Sequence, residues 1–350
     1  MPSAADEIRA AIDAAGGAIR FDEFMRIALY GEHGFYGGIG RAGRRGDFIT
    51  SPEVGPLFGA VVARFIDAEW ARLGRPDPFT FVDAGAGPGT LARSVMAAAP
   101  GCMDALRYVA VEVSAPQREL HPPGIESVAT LPDEALTGVI FANELLDNLP
   151  YRLAVYDGEW REALVANRAD GSFAEVLGDR LAGDRPVLPV PAKHGARAPV
   201  QDAAIAWISS ALASVRAGCV IAIDYGSTTA QLAERPYREW LRTYRRHELG
   251  GHYLRAPGSQ DITADVAIDQ LPAGASVTTQ ADWLRAWGID ALVDDGKRIW
   301  RERAAAPDVA ALQMRSRIGE AEALLDGAGL GAFLVLEWVV PFDVSSPARN

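Results

Sequence analysis

The stretch Phe79–Thr90, FTFVDAGAGPGT, constrains the fold more than any other part of the chain. It opens with Phe79, Thr80, Phe81 and Val82, an apolar and β-branched run that predicts a buried strand. Asp83 stands at the C-terminal end of that strand. Gly85, Gly87 and Gly89 follow around Pro88, and a helical pattern runs from Leu91 to Ala98. Strand, glycine turn and helix form a corner where the backbone can approach a ligand closely and the helix start offers free N–H groups. A second apolar run, Leu106–Val113 (LRYVAVEV), ends near Glu112. An acid at the end of a second strand can accept both hydroxyls of a ribose. The two signals together predict a nucleoside site on a parallel sheet. The third glycine of the dinucleotide fingerprint is Thr90 here, which disfavours a nicotinamide cofactor, although Glu112 alone suits either kind of adenosine ligand.

The rest of the chain sets limits on that reading. With 350 residues it is long for one simple domain, so large insertions or two lobes are expected. The net charge of −12 argues against a general nucleic-acid binder, which needs a basic face. Cys102 and Cys219 sit in apolar or small-residue stretches and form no CxxC pair, so they read as buried thiols. No apolar run reaches membrane-spanning length, and the first residues, MPSAADEIRAAID, have neither a signal-peptide core nor an Arg/Ser-rich presequence. A cytoplasmic location without membrane insertion is the expectation. Oligomeric state stays open, a homodimer being one option.

Helices are expected near residues 5–15 and over Phe21–Leu29. The segment Tyr30–Gly46 is rich in Gly and Arg and reads as a loop. Thr50 or Ser51 is placed to cap a helix running from Pro52 to about Leu73. Gly138–Ala142 is a fourth strand with Asn143-Glu144 at its C-terminal edge, where open parallel sheets bind ligands. Asp157-Gly158 between two β-rich runs marks a hairpin. Residues 178–199 read as an irregular excursion, Ala203–Val215 as a helix, and Val220–Asp224 as a fifth strand. Residues 227–265 read as a polar, Arg-rich insertion, followed by a helix near Asp308–Leu325 and a strand from Phe333 to Val339.

The pattern acid-x-G-x-G-x-G at Asp83–Gly89 resembles the first motif of class I S-adenosylmethionine-dependent methyltransferases. Read in order, RRGDFITSPEVGPLFG, VDAGAGPGTLA, YVAVEVS, ANELLDNLP, IDYG, LRTYRRHELGGHYLRAPGSQDITADV and TTQADWLRAWGI resemble the MidA family. That family is related to the mitochondrial complex I assembly factor that dimethylates an arginine, and the likeness covers most of the chain. The chain departs from the family pattern in carrying Asp83 where Glu is common, Ala86 and Pro88 in the turn, and Leu-Leu-Asp-Asn after Asn143-Glu144. The resemblance implies a doubly wound, Rossmann-like α/β sheet with an N-terminal helical cap and insertions after strands 4 and 5. Residues 1–75 would form the cap and a cofactor-covering loop. Residues 76–350 would form the methyltransferase domain, with insertions near 151–200 and 227–275.

S-adenosylmethionine is then the expected cofactor, held by Asp83, Gly85, Ala86, Gly87, Glu112, Val113 and Asn143, with Asp47, Thr50 and Ser51 supplied by the covering loop. Methyl transfer from a sulfonium is an in-line displacement that needs no metal, and the five histidines show no metal-ligand spacing. Glu144 and Asp147 follow the fourth strand, and two carboxylates there could grip a guanidinium. A helix-capping Glu144 and a solvated Asp147 are the plainer alternative. His247 and His252 are candidate acid/base or acceptor-orienting groups, against the more usual structural role of a histidine. Three functions remain: a protein arginine methyltransferase acting on a respiratory-complex subunit or another protein, a small-molecule or other-residue methyltransferase, and a non-catalytic assembly factor that keeps the pocket.

Overall fold

The computed structural model describes residues 2–37, 50–181, 188–245 and 248–341. Two compact units are present. One comprises Met1–Phe48, Leu145–Ser209 and Tyr225–Ala273, and the other Ile49–Glu144, Ser210–Asp224 and Gly274–Asn350. The first division of the chain thus falls at Phe48, not near residue 75, and the insertions belong with the N-terminal segment in a unit of their own.

The second unit is built on a seven-stranded sheet. Its strands are β1 (Phe79–Ala84), β2 (Leu106–Val111), β3 (Glu126–Val128), β4 (Leu136–Asn143), β5 (Val215–Asp224), β6 (Ser276–Thr279) and β7 (Leu334–Val340). They lie in the order β3-β2-β1-β4-β5-β7-β6. Pairing is parallel from β3 through β5, whereas β7 runs antiparallel to both neighbours. The doubly wound expectation holds. All six residues of β1 are buried, because a parallel sheet is covered on both faces and its strands become continuous apolar runs. Phe58, Val61 and Phe65 on the helix Pro56–Arg72 pack with Phe81, Phe141, Ile221 and Trp283 in this core. The strand order reverses between β1 and β4, so a crevice is expected at their carboxyl ends.

The helix expected from Pro52 to Leu73 is broken in two, Ser51–Val54 and Pro56–Arg72. The residue before a proline is disfavoured in the helical region, and Gly55 is extended. A Cβ on Gly55 would stand 2.3 Å from the Glu320 side chain. That carboxylate accepts the Leu57 N–H at 2.8 Å and so caps the second helix.

The first unit has a core of its own, and among the described residues only the stretch between Arg180 and Arg197 follows the irregular course expected for 178–199. The helices Ala4–Ala14 and Phe21–Tyr30 share a core with Tyr151, Leu153, Val165, Trp240 and Ile262. Its five-stranded antiparallel sheet joins Ala18–Arg20, Trp160–Asn167, Arg152–Tyr156 and Arg197–Val200, with Phe173–Arg180 beside Trp160–Asn167. The hairpin expected at Asp157-Gly158 is present, and Gly158 takes a φ of 75°. Within residues 227–265, read as a polar, Arg-rich insertion, Leu241–Arg245 pairs with Glu248–Leu249 and Asp261–Ala264, and the stretch contributes buried residues to the core. Among the described residues no helix is long and apolar enough to cross a membrane.

Candidate cofactor and acceptor site

The glycine turn after β1 is hung on β2. The N–H groups of Gly85 and Ala86 both donate to the Val111 carbonyl, at 2.9 and 3.0 Å. Gly85, Gly87 and Gly89 have φ of 73°, 53° and 79°, the left-handed region that a Cβ disfavours. Gly89 then serves as the N-cap residue of the helix Thr90–Ala98. Glu112 closes the arrangement. Its Oε2 accepts the Gly87 N–H at 3.0 Å and its Oε1 the Ser114 N–H at 2.8 Å. His121 Nε2 lies 2.9 Å from the Gly87 carbonyl, and its Nδ1 lies 2.8 Å from Ser127 Oγ. The ring therefore holds the turn from its other side.

Three observations fit a nucleoside ligand carrying an ammonium group. Gln117, on the short helix Ala115–Arg118, is buried, and its Oε1 has no hydrogen-bond partner among the described residues. This oxygen lies 3.4 Å from where a Cβ on Gly87 would be. Asn143 Oδ1 is likewise buried without a partner. Orphaned acceptors cost about 1–3 kcal/mol each, and ligand donors such as an ammonium or ribose hydroxyls would remove that cost. Val113, next to the ribose-type acid, is 62% exposed, an apolar face of the kind that packs on a purine. Gln117 and His121 are additions to the sequence reading. No local motif marks either of them, since both become neighbours of the turn only once β2 is paired.

Asp83 behaves differently from the expectation of a cofactor-touching acid. It is 2% exposed, and its Oδ2 accepts the Tyr108 hydroxyl at 2.9 Å. Burial pushes its carboxyl up to about 7, against the lowering effect of the Tyr108 hydrogen bond. Its carboxyl is held inside the sheet, where it orients β2 against β1.

The end of β4 carries the second feature. Glu144 has a φ of 53°, unusual for a long side chain, and its N–H donates to the Ile223 carbonyl at 2.8 Å. Its Oε1 accepts the Asn143 amide at 3.0 Å and the Ser51 N–H at 3.3 Å. The structure thus brings Ser51, Asn143 and Glu144 together at the carboxyl end of the strand beside β1. Ser51 is fully buried, and its hydroxyl donates to Gln280 Oε1 at 2.9 Å, so it anchors the helix start. Thr50 occupies the N-cap position without a side-chain capping bond.

Asp147 is neither solvated nor presented at an edge. It lies in the other unit, 1% exposed, and accepts hydrogen bonds from the hydroxyls of Tyr225 and Thr263. Burial raises its carboxyl above the ordinary range. Asp261, in the same buried network through Asn148, is pushed up to about 7 by burial and by the charge of Asp147. These contacts make Asp147 part of the core network of its own unit, and the expected pairing with Glu144 loses its basis. His252 also belongs to that unit. Its ring lies 4.2 Å from that of Tyr253, and burial, with the nearby guanidiniums of Arg238, Arg197 and Arg255, holds it below its ordinary value. Asp47 and His247 lie outside the described residues, as do Gly46, Phe48 and Ile49 of the Gly46–Ser51 segment expected to cover the cofactor.

Residues 61–286 match the family described as putative S-adenosyl-L-methionine-dependent methyltransferase. The chain belongs to this family. A likely methyl transferase from Burkholderia thailandensis, crystallised with S-adenosyl-homocysteine, superposes with a TM-score of 0.82 at 29% identity, covering 97% of this chain and 92% of that one. The Drosophila melanogaster protein named "Protein arginine methyltransferase NDUFAF7 homolog, mitochondrial" is 28% identical over 75% of this chain and 68% of its own length. The Mus musculus protein arginine methyltransferase NDUFAF7 is 26% identical over 78% and 72%. The methyltransferase reading and its S-adenosylmethionine cofactor therefore stand. The glycine turn, Glu112, Val113, Gln117 and Asn143 are the groups of this S-adenosylmethionine-dependent methyltransferase suited to hold the cofactor.

Proposed function

We propose that this methyltransferase acts on a guanidinium nitrogen of a protein arginine, with Glu144 as the carboxylate that receives it. One observation carries the reading: a glutamate fixed in a left-handed conformation at the carboxyl end of β4, beside the glycine turn. A non-glycine residue costs about 1–2 kcal/mol in that conformation, and such strain gathers at functional sites. The names of the Drosophila and mouse relatives support an arginine acceptor. The family resemblance extends this to a respiratory-complex subunit as the class of protein substrate.

The cofactor, when bound, supplies an electrophilic methyl carbon on a sulfonium. The protein's share is orientation and charge. A guanidinium stays protonated at all ordinary pH values, and its lone pair is delocalised. Glu144 offers a planar acceptor that aligns it through paired N–H···O bonds. Asn143 and the Ser51 N–H hold Oε1, fixing the plane of the carboxylate before the acceptor arrives. As the new N–C bond forms, the nitrogen becomes acidic, and its proton passes to the Glu144 carboxylate and from there to solvent.

Glu144→Gln keeps the shape and removes the charge. Single-turnover methylation should fall by at least about 100-fold, the lower range for a positioned acid/base group, while S-adenosylhomocysteine affinity changes little. Loss of both would make Glu144 a cofactor residue, and loss of neither would place the acceptor elsewhere. Methyl-labelled S-adenosylmethionine with cell lysate tests the substrate class. Label confined to small molecules would reject the protein-acceptor reading.

A further inference from the structure

The first unit contains a cavity of about 1090 Å³ whose lining is strongly cationic. Arg9, Arg168, Arg197, Arg238, Arg242 and Arg255 all face it, and Glu175 is the one carboxylate among its described lining residues. In a chain of net charge −12 this runs against the general surface. Three of the six guanidiniums are already matched: Arg197 by Glu175 at 2.6 Å, Arg242 by Asp265 at 2.7 Å, and Arg9 by Asp6 at 2.9 Å. Among the described residues Arg168, Arg238 and Arg255 have no carboxylate in salt-bridge reach.

The cluster is held in place. Tyr237 carries two guanidiniums near its ring, Arg197 at 4.6 Å and Arg238 at 5.8 Å from the ring centre. Tyr253 donates to Glu175 at 2.5 Å, and Glu175 in turn fixes Arg197. Like charges brought together on one wall repel, and an anion between them would relieve that repulsion. His252 also lines the cavity, where burial first, and then Arg238, Arg197 and Arg255 against the opposing charge of Glu175, hold it below its ordinary value. The ordered fork geometry of arginine matches carboxylates in pairs. A cavity of this volume is far larger than one inorganic anion fills, and its tyrosines offer contact to side-chain stems.

We propose that this cavity binds an acidic segment of a polypeptide, a run of Asp or Glu carboxylates belonging to the protein substrate. The site rests on the reading of a protein acceptor but needs neither Glu144 nor the cofactor groups. The probe is fluorescein-labelled hexaglutamate, followed by polarisation at low and physiological salt. The intact protein should bind it, with affinity falling as salt rises. The double variant Arg238→Glu/Arg255→Glu changes two exposed side chains and should weaken binding at least about tenfold, leaving S-adenosylhomocysteine affinity unchanged. Arg238→Gln/Arg255→Gln is the milder pair should the charge reversal unfold the unit, and should lose about threefold or more. Equal binding by intact and variant proteins overturns the proposal. Displacement of the peptide by equimolar inorganic phosphate also overturns it, in favour of a small-anion site. If hexaglutamate binds through these arginines but label from the methyl donor never enters protein, the acceptor reading fails while the anion site stands.

Discussion

Replacing Asp83 by Asn tests the physical account of the sheet's central acid. The carboxyl is sealed between β1 and β2, with the Tyr108 hydroxyl as its partner at 2.9 Å. Burial pushes it up to about 7 in the folded protein, whereas an unfolded chain titrates near about 4. Between these values the folded state keeps a proton that the unfolded state has released. The stability contributed by this group is therefore complete below about 4 and is lost as pH rises through about 7. A difference of about 3 between the two values, at about 1.4 kcal/mol for each, sets a ceiling near about 4 kcal/mol. Asparagine keeps the shape and an oxygen for Tyr108 but never ionises. The advantage of ligand-free Asp83→Asn over the parent should grow by about 2–3 kcal/mol between pH 5 and pH 8, read as urea midpoints at constant slope. Asp147 and Asp261 also titrate upward, but both proteins carry them, so their effect cancels in the difference. An advantage that is the same at pH 5 and pH 8, or absent at both, would refute the claim that Asp83 holds a proton when folded.

Two further outcomes follow from the cofactor groups. Gly87→Val places a β-branched side chain at φ 53°, with its Cβ 3.4 Å from Gln117 Oε1, and should abolish S-adenosylhomocysteine binding by calorimetry while the circular dichroism spectrum stays native. Near-normal affinity there would remove the glycine turn from the site. Glu112→Ala strips the acceptor from the Gly87 and Ser114 N–H groups and from a bound ribose, and should weaken the same binding by about 1–3 kcal/mol; unchanged affinity would remove Glu112 from the site.

The sheet was legible in sequence because parallel strands covered on both faces write themselves as unbroken apolar runs. Phe79–Val82, Leu106–Val111 and Val220–Asp224 are of this kind, and their glycine turn and acid add local signatures. The candidate site groups read from sequence, Gly85, Gly87, Glu112, Asn143 and Glu144, all sit at or just after strand ends, where the motif itself marks the place. The first unit was not legible for the opposite reason. Ala18–Arg20 is three residues long and pairs with Leu164–Ala166, far along the chain, so nothing local announces it. Residues 227–265 read as polar because arginines outnumber their acids in sequence. In space Asp265 gathers Arg235 and Arg242, and Trp240 and Ile262 enter the core.

Asp147 shows why spacing alone misplaced an acid. A pair three residues apart shares a face only if one helix carries both. Here Glu144 is left-handed, and only Leu146–Asn148 forms a short 3-10 turn. From Leu145 the sequence belongs to the other unit, whose core supplies Tyr225 and Thr263 as hydroxyl donors to Asp147. Burying an acid costs several kcal/mol unless hydrogen bonds compensate, so hydroxyl partners from distant segments signal a structural assignment. Glu144 has the reverse character. It is half-buried, its backbone is strained, and Asn143 and Ser51 hold one of its oxygens. A structural acid gains nothing from a left-handed backbone that a glycine would adopt at lower cost. The strained backbone is what sets Glu144 apart from Asp147, whose hydroxyl partners lie in the core of its own unit, and with the proposed acceptor role it makes Glu144 the residue to remove first.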